Sequence, residues 1–450
     1  MKHHYLRFLA ILLLAALMGC TALPISLGGG LQTTQVPLVS TPTANLVFES
    51  DRTPTPSAAE ITHAPTSSAS GTNLRIWVPP AFDPNGTTPA SVLMKARLDQ
   101  FTNENPDVRL EIRTKSLEGA GGMLDSLVAA NVAAPLTLPD LVMVPRPLLE
   151  SATLKGLLYP FDGLTSVMDE KAWYEYAHQL ARVQSGTYCI PFAGDTMLLA
   201  YHPSLRSATS TSLEDLISLG EVLLFPATDP QALFTLNSYL AEGGTLQDEQ
   251  GRPILDEAIL TRVTNYDQRA SQAGVMPYWL TQYSTDAQVW DSFLSSTYPA
   301  AITWSSSYLN HLQAGSQSSS NDLAAAPIPT LDGSSFNLAS GWCWALAGQN
   351  AESKSMAVKL AEYLVDEKFM GDWTYAAGYL PPREDALQTW PDTELRQVMG
   401  SVSSSAQLLP PLDLLSSIGP ALQQAVVDVL KAHTDPQTAA QTAANQVNKP

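Results

Sequence analysis

The chain has 450 residues, too many for one ordinary hydrophobic core, which predicts two domains or lobes. It carries 24 Lys and Arg residues against 43 Asp and Glu residues, a formal net charge of −19. A surface of this charge repels nucleic acid and anionic lipid head groups, so neither is an expected partner.

The N-terminus is typical of an export signal. A basic start leads into the apolar stretch Phe8–Leu17, which is too short to span a bilayer as a stable helix. The stretch ends in Met18-Gly19-Cys20, which resembles the end of a bacterial lipobox. We therefore predict a signal peptide over residues 1–19 and a lipid-modified Cys20 as the mature N-terminus. The alternative is ordinary secretion with an incidental Cys20.

The segment after the signal has no sustained hydrophobic period. Thr, Pro, Ser and Ala dominate it, as in Thr53-Pro54-Thr55-Pro56. Such a composition buries too little apolar surface to offset chain entropy, and its prolines favour extended backbone. Residues 20–72 are predicted to be a disordered tether that holds the protein at the outer face of the cytoplasmic membrane.

Order is predicted to begin with a strand, a helix and a second strand. Leu74–Val78 and Val108–Ile112 alternate as strands do, and Ala90–Glu104 has helical spacing with Val92, Ala96 and Phe101 on one side. A further helix and a short apolar strand, Pro139–Val144, follow. This alternation predicts a parallel sheet covered by helices.

The stretch Tyr188–Tyr201 predicts a long extended segment. It is rich in aromatic and apolar residues, and its proline can sit only at a strand start or edge. One carboxylate, Asp195, interrupts it. A lone acid among apolar strand residues is costly to bury unless hydrogen bonds reach it.

Later segments predict further strands and turns. Gly243–Pro253 is a turn-rich hairpin, and Pro299–Trp304 is a buried strand. Gly341–Leu346 is extended, and Gly378–Arg383 follows a helix. Two more helices are predicted to end the ordered part.

These segments, in this order, resemble the type-1 extracellular solute-binding proteins, the sugar-binding lipoproteins of ABC importers. In that family a segment like Tyr188–Tyr201 is the first crossover between two lobes, with its acid at the floor of the ligand cleft. His202-Pro203 departs from the usual Asn-Lys. The resemblance implies an α/β, two-lobed periplasmic-binding-protein-like fold of type II, each lobe a mostly parallel sheet flanked by helices and joined by crossover strands.

The resemblance also implies domain boundaries. The N-terminal lobe is expected over residues 74–195 and 343–378. The C-terminal lobe is expected over residues 196–342 and 379–435, followed by a flexible tail over residues 436–450.

Motifs for catalysis are missing from the sequence. There is no His-Glu-x-x-His, no Gly-x-Ser-x-Gly and no Cys/His cluster at zinc spacing. We therefore expect no enzyme, cofactor or metal site. The alternatives are a secreted glycan-active hydrolase using acidic pairs such as Asp169-Glu170, and a structural surface lipoprotein, for which repeats would be expected and none are present.

A sugar site needs aromatic faces for the rings and polar groups for the hydroxyls. Carried over residue by residue, the resemblance places such groups at strand ends facing the cleft. The implied ligand-binding residues are Pro80, Phe82, Asp83, Arg146, Asp195, Trp304, Ser305, Trp342, Tyr379 and Arg383.

Each of these residues has a structural alternative. Trp304 and Trp342 could belong to the core, Asp195 could cap backbone amides, and Arg146 could simply be a surface residue. Cys189 and Cys343 stand in the two crossover segments and either form a disulfide or remain buried thiols.

The sequence thus predicts a monomeric, lipid-anchored protein that captures a small solute, a mono- or oligosaccharide, and delivers it to the membrane subunits of an ABC permease. A non-sugar ligand on the same fold is the alternative.

Overall fold

The computed structural model describes residues 71–206, 212–315, 322–348 and 350–448. The predicted signal peptide, Cys20 and nearly all of the predicted tether lie outside these residues. Within the described ranges, no helix combines the length and the apolar character that crossing a membrane requires.

The first part of the chain alternates strands and helices, as its spacing predicts. Its elements are β1 (Thr72–Val78), α1 (Pro89–Glu104), β2 (Val108–Thr114), α2 (Met123–Ala133), β3 (Leu141–Pro145), α3 (Arg146–Leu154), α4 (Glu175–Ala181), β4 (Arg182–Val183), β5 (Gly186–Thr187) and β6 (Cys189–Tyr201).

The second part is mostly helical. Its elements are α5 (Leu213–Leu219), β7 (Leu223–Leu224), α6 (Leu233–Ala241), α7 (Glu257–Gln272), α8 (Asp286–Ser295), β8 (Ala300–Trp304), α9 (Ser305–Gln313), β9 (Ala324–Ala326), β10 (Asn337–Leu346), α10 (Ala351–Leu364), α11 (Glu367–Ala377), α12 (Glu384–Gln388), α13 (Thr393–Ser404), β11 (Ala406–Leu408), α14 (Leu412–Leu430) and α15 (Pro436–Val447). Short 3-10 turns cover Pro80–Phe82, Pro135–Thr137, Val167–Asp169 and Tyr278–Gln282.

Nine of the described strands form one sheet in the order β2-β1-β3-β10-β6-β8-β7, with β11 beside β10 and β9 beside β6. Strands β4 and β5 pair with each other in a separate two-stranded sheet. Strands β1, β2 and β3 are parallel, and β10 enters antiparallel to β3. The two long strands β6 and β10 run side by side through the middle of the sheet. The chain therefore passes from one half of the molecule to the other along β6 and returns along β10.

The hydrophobic core changes over within β6. From Ile190 to Ala193 it packs in a first core with β1, α1 and α11, whereas from Met197 onward it packs in a second core with β8, α7 and α14. Asp195 is the acidic residue between these two apolar runs. Gly194, beside it, is required because a side chain there would overlap the hydroxyl of Tyr176 on α4.

Of the apolar side predicted for α1, Phe101 is buried and the other two residues are not. Val92 is 61% exposed and Ala96 is exposed, whereas Met94, Leu98 and Phe101 point into the first core. Apolar residues occur on both sides of this helix, so spacing alone does not identify the face that the sheet covers.

The predicted flexible tail is also wrong over Pro436–Val447, which is helix α15. Asp435 caps this helix by accepting the backbone N–H of Thr438 at 3.1 Å. Alanines at 439, 440, 443 and 444 are buried against the second core. Their small side chains let the helix lie close to its neighbours, although a sequence of Ala, Gln and Thr has little hydrophobicity to indicate burial.

Cys189 on β6 and Cys343 on β10 form a disulfide, with their Cα atoms 5.6 Å apart. Both side chains are fully buried. Of the two alternatives left open by the sequence, the structure contains the paired one, which ties the two crossover strands together.

Helix α7 carries a buried acid that makes stability depend on pH. Asp267 is 4% exposed, one of its oxygens has no hydrogen-bond partner among the described residues, and burial raises its pKa to about 7. Between about pH 4 and pH 7 the Asp267 carboxyl is therefore protonated in the folded protein and ionised in the unfolded chain. The contribution of protonated Asp267 to the free energy of unfolding is fully present below pH 4 and is lost as the pH rises through 7.

We accordingly expect Asp267→Asn to raise the melting temperature at pH 8 by a few degrees and to change it little at pH 4. Thermal unfolding at both pH values measures this, with the exposed Asp291→Asn on α8 as control. An equal effect of Asp267→Asn at the two pH values would contradict the assignment.

Candidate functional site

Asp195 lies where β6 passes between the two cores, and its carboxylate receives three hydrogen bonds from the start of α9. The Ser305 hydroxyl donates to Oδ1 at 2.7 Å, the Ser306 backbone N–H donates to Oδ1 at 2.9 Å, and the Ser306 hydroxyl donates to Oδ2 at 2.6 Å. These bonds satisfy donors at a helix N-terminus, where the helix dipole also favours a negative charge. Asp195 is a partly exposed residue.

Two tryptophans stand on the same face of β6 as Asp195. Residues 193, 195 and 197 share one face because side chains alternate along a strand. Trp342 pairs directly with Ala193, and Trp304 pairs directly with Met197. Directly opposite residues of antiparallel strands point to the same side, which places one indole on each side of the carboxylate. Both are partly exposed.

Tyr379 completes this group from the segment after α11. Its neighbour Leu380 exchanges backbone hydrogen bonds with Gly194, at 2.6 and 2.9 Å, which brings Tyr379 beside β6. Burial raises the pKa of Tyr379 to about 12, the nearby Asp195 carboxylate adds to the rise, and a hydrogen bond with Trp342 opposes it. We call Asp195, Trp304, Trp342 and Tyr379 the junction group.

The charge state of Asp195 is set by competing effects. Burial, and to a lesser extent the Asp286 carboxylate on α8, raise its pKa, whereas the hydrogen bonds from Ser306 and Ser305 lower it; the net result is a pKa of about 6. Burial also raises the pKa of Asp286, which a hydrogen bond from Ser307 at 3.1 Å opposes. Two carboxylates from different elements therefore face the first turn of α9.

A pocket of about 400 Å³ opens beside Trp304 and Asp286. Its volume is within the range of small-ligand pockets. Its wall is apolar with a polar part that could hydrogen-bond a ligand, and its lining residues are Met197, Pro226, Asp229, Pro230, Gln231, Leu233, Phe234, Ser284, Thr285, Asp286, Ile302 and Trp304. Among the described residues, no group of His, Cys, Asp and Glu side chains is arranged to hold a metal ion.

The sequence model of the bacterial extracellular solute-binding protein family matches residues 96–396. The chain belongs to this family. Such proteins are extracellular, so this solute-binding protein works outside the cytoplasm. A comparison with curated protein sequences found no match.

Several solved structures have the same fold as this solute-binding protein. A cyclic alpha-maltosyl-1,6-maltose binding protein of Arthrobacter globiformis has a TM-score of 0.67 at 16% identity, covering 84% of this chain and 98% of its own. A Listeria monocytogenes maltose-binding periplasmic protein in complex with maltose has a TM-score of 0.66 at 17% identity, covering 84% of this chain and 97% of its own. A Thermotoga lettingae ABC transporter solute-binding protein bound with alpha-D-tagatose has a TM-score of 0.60 at 19% identity, covering 84% of this chain and 99% of its own. The predicted α/β, two-lobed periplasmic-binding-protein-like fold is confirmed.

The two predicted arginines are engaged within this solute-binding protein. Arg146 pairs with Glu150 at 2.6 Å and donates to the carbonyl oxygens of Gln179, Leu180 and Arg182, at 2.9, 3.0 and 2.6 Å. It thereby satisfies carbonyls at the end of α4 that have no helical partner. Arg383 is 6% exposed and pairs with Glu170 and Asp385, at 2.8 and 2.6 Å. We place neither arginine in the junction group.

The binding residues predicted after β1 are not part of the junction group. Phe82 is 2% exposed and packs against Trp342 and Tyr379, with ring centroids 4.9 and 6.0 Å away, so it supports these rings from behind. Pro80 is exposed at the start of a 3-10 turn, and Asp83 accepts the backbone N–H of Asn85 at 2.9 Å. Ser305 is fully buried and reaches Asp195 rather than solvent.

Sequence reasoning missed Asp286, Ser306 and Tyr176. Asp286 lies 91 residues from Asp195 along the chain, and its Thr-Asp context indicates only a helix start. Ser306 follows the predicted Ser305, so the serine run was a usable signal. Tyr176 is buried behind Gly194, its hydroxyl has no hydrogen-bond partner among the described residues, and burial raises its pKa well above the usual value.

Proposed function

We propose that this protein captures a small sugar, a mono- or oligosaccharide, at the junction group and delivers it to the membrane subunits of an ABC importer, acting as a monomer and without catalysis. The observation that carries the proposal is the pair of partly exposed tryptophans flanking the partly exposed Asp195 where the chain crosses between the two cores. Aromatic faces pack on the C–H sides of sugar rings, and carboxylates accept their hydroxyls.

The position of the group supports a coupling of binding to delivery. A ligand that contacts Asp195 touches the strand joining the two cores, and contacts from both cores would favour a closed form by their differential affinity for it. The neighbouring solved structures named above hold maltose or tagatose, or are named for a maltose-based sugar, which supports a sugar as the ligand here.

A thermal-shift screen against neutral sugars, followed by product analysis of any sugar that shifts the melting temperature, tests this function. We expect a shift of several degrees for at least one sugar, with no product formed. Turnover of the sugar would instead favour the glycan-active hydrolase, and no shift with any sugar would overturn the sugar assignment.

We further propose that a lipid-modified Cys20 anchors the mature protein to the outer face of the membrane. Two or three acyl chains hold a protein stably because each buried methylene contributes ~0.8 kcal/mol. Cys20→Ser is expected to release the protein into the medium or to leave it unprocessed, as membrane fractionation and mass measurement would show. Retention of the substituted protein in membranes at the mature mass would contradict the anchor.

A further inference from the structure

The pocket beside Trp304 is acidic. Asp229 and Asp286 contribute carboxylates to its wall, and the described residues that line it include no Lys, Arg or His. Asp195 stands close enough to Asp286 for the Asp286 carboxylate to raise the pKa of Asp195. Two acids therefore line the pocket that shares Trp304 with the junction group, and Asp195 of that group lies near one of them, Asp286.

Among the residues that the structure describes, these three acids have no basic partner. In the described part of the chain, no ion pair joins Asp195, Asp229 or Asp286 to a basic side chain. Asp229 accepts only the backbone N–H groups of Gln231 and Leu233, both at 3.0 Å. The two arginines that could have received an anionic ligand are paired with Glu150, Glu170 and Asp385 instead.

We propose that this site selects its solute by charge, binding a sugar that carries a protonated amine more tightly than its neutral counterpart and rejecting one that carries a carboxylate or phosphate. The inference rests on the proposed function, since it assigns the substrate class of that same site. The aromatic side chains of the junction group pack against the sugar ring, and the carboxylates attract or repel a charged substituent on it.

The physical reason is the cost of partly buried, unpaired charge. An ammonium group placed near Asp286 and Asp195 stabilises their ionised forms, which burial disfavours. A carboxylate in the same place repels both acids and finds no cation to receive it. At the effective dielectric of a protein surface such a charge difference at about 4 Å is large enough to change affinity tenfold or more.

Matched sugars that differ only in charge test the proposal. One set of probes is glucose, glucosamine and glucuronate, and a second set is galactose, galactosamine and galacturonate. The 1,4-linked dimers of each sugar form two further sets. Each probe is titrated at pH 7 into the full mature protein in detergent. Within a set that binds, we expect the amine at least about threefold tighter than the neutral sugar and the acid at least about tenfold weaker. An acid that binds as tightly as its neutral counterpart overturns the charge selection while leaving solute binding intact. Failure of every probe to bind overturns the charge selection, whereas only the absence of a shift with every sugar of the thermal-shift screen overturns solute binding.

Variants assign the effect to the pocket. Asp286→Asn should reduce the ratio of affinities between the amine and the acid of a set at least about threefold, because it removes one carboxylate of the pocket wall with little change of shape. Asp291→Asn, an exposed acid on the same helix, makes the same change of net charge and should leave the ranking unchanged. An equal effect of the two variants would show that the net charge of the protein, and not this pocket, sets the preference.

Discussion

Replacing Asp195 by alanine is expected to weaken solute binding at least about tenfold and to lower the melting temperature of the unliganded protein by a few degrees. Removing a charged acceptor from a desolvated polar contact costs ~1.5–3 kcal/mol of binding free energy. The change also leaves Ser305 and Ser306 without the acceptor they reach in the folded state. Calorimetric titration with the best sugar of the thermal-shift screen, and a thermal melt without ligand, measure the two effects.

Asp195→Asn separates the two roles of this side chain. The amide oxygen can accept the two bonds now made by Oδ1, and the amide nitrogen can donate to the Ser306 hydroxyl, so the melting temperature should stay close to that of the native protein. Affinity should still fall if the ligand needs the carboxylate. Unchanged affinity in Asp195→Ala would move the site away from the crossover strand.

Loss of the disulfide is expected to produce the largest loss of stability. Cys189 and Cys343 are 154 residues apart in sequence. Closing so long a loop restricts the unfolded chain strongly, and removing a native disulfide typically costs ~2–5 kcal/mol. Cys189→Ala with Cys343→Ala should therefore lower the free energy of unfolding by this amount in denaturant titrations.

The matched control is reduction of the native protein, which should give a similar loss without any change of sequence. The pairing itself is tested by thiol titration of the unfolded, unreduced protein. Neither Cys189 nor Cys343 should titrate, and the appearance of two thiols from these positions would contradict the pairing.

Sequence patterns predicted the crossover strand well because its residues are strongly constrained. Tyr188–Tyr201 was predicted as extended, and β6 covers Cys189–Tyr201. Its apolar run is long, and the single acid within it predicted hydrogen-bond donors nearby because burying an unpaired carboxylate is costly. In α1 and α15 the hydrophobic signal was ambiguous or weak, so which face is buried, or whether the segment packs at all, depended on neighbours distant in sequence.

The candidate site was predictable in part because the chain resembles a known family. That resemblance implied the shared location of Asp195, Trp304, Trp342 and Tyr379, at strand ends or crossovers that face the cleft. Arg146 looked available because its partners at Gln179, Leu180 and Arg182 are more than thirty residues away. Asp286 was missed because only the folded chain brings α8 to the start of α9.

Hydroxyl-radical footprinting with mass spectrometry tests the central claim most directly, using the full mature protein with and without the sugar that gives the largest thermal shift. The junction group predicts that this sugar protects Trp304, Trp342 and Tyr379 from oxidation and leaves Tyr278, which is 63% exposed outside the group, unchanged. Protection of other side chains, with Trp304 and Trp342 oxidised as in the free protein, would contradict a solute site at the crossover.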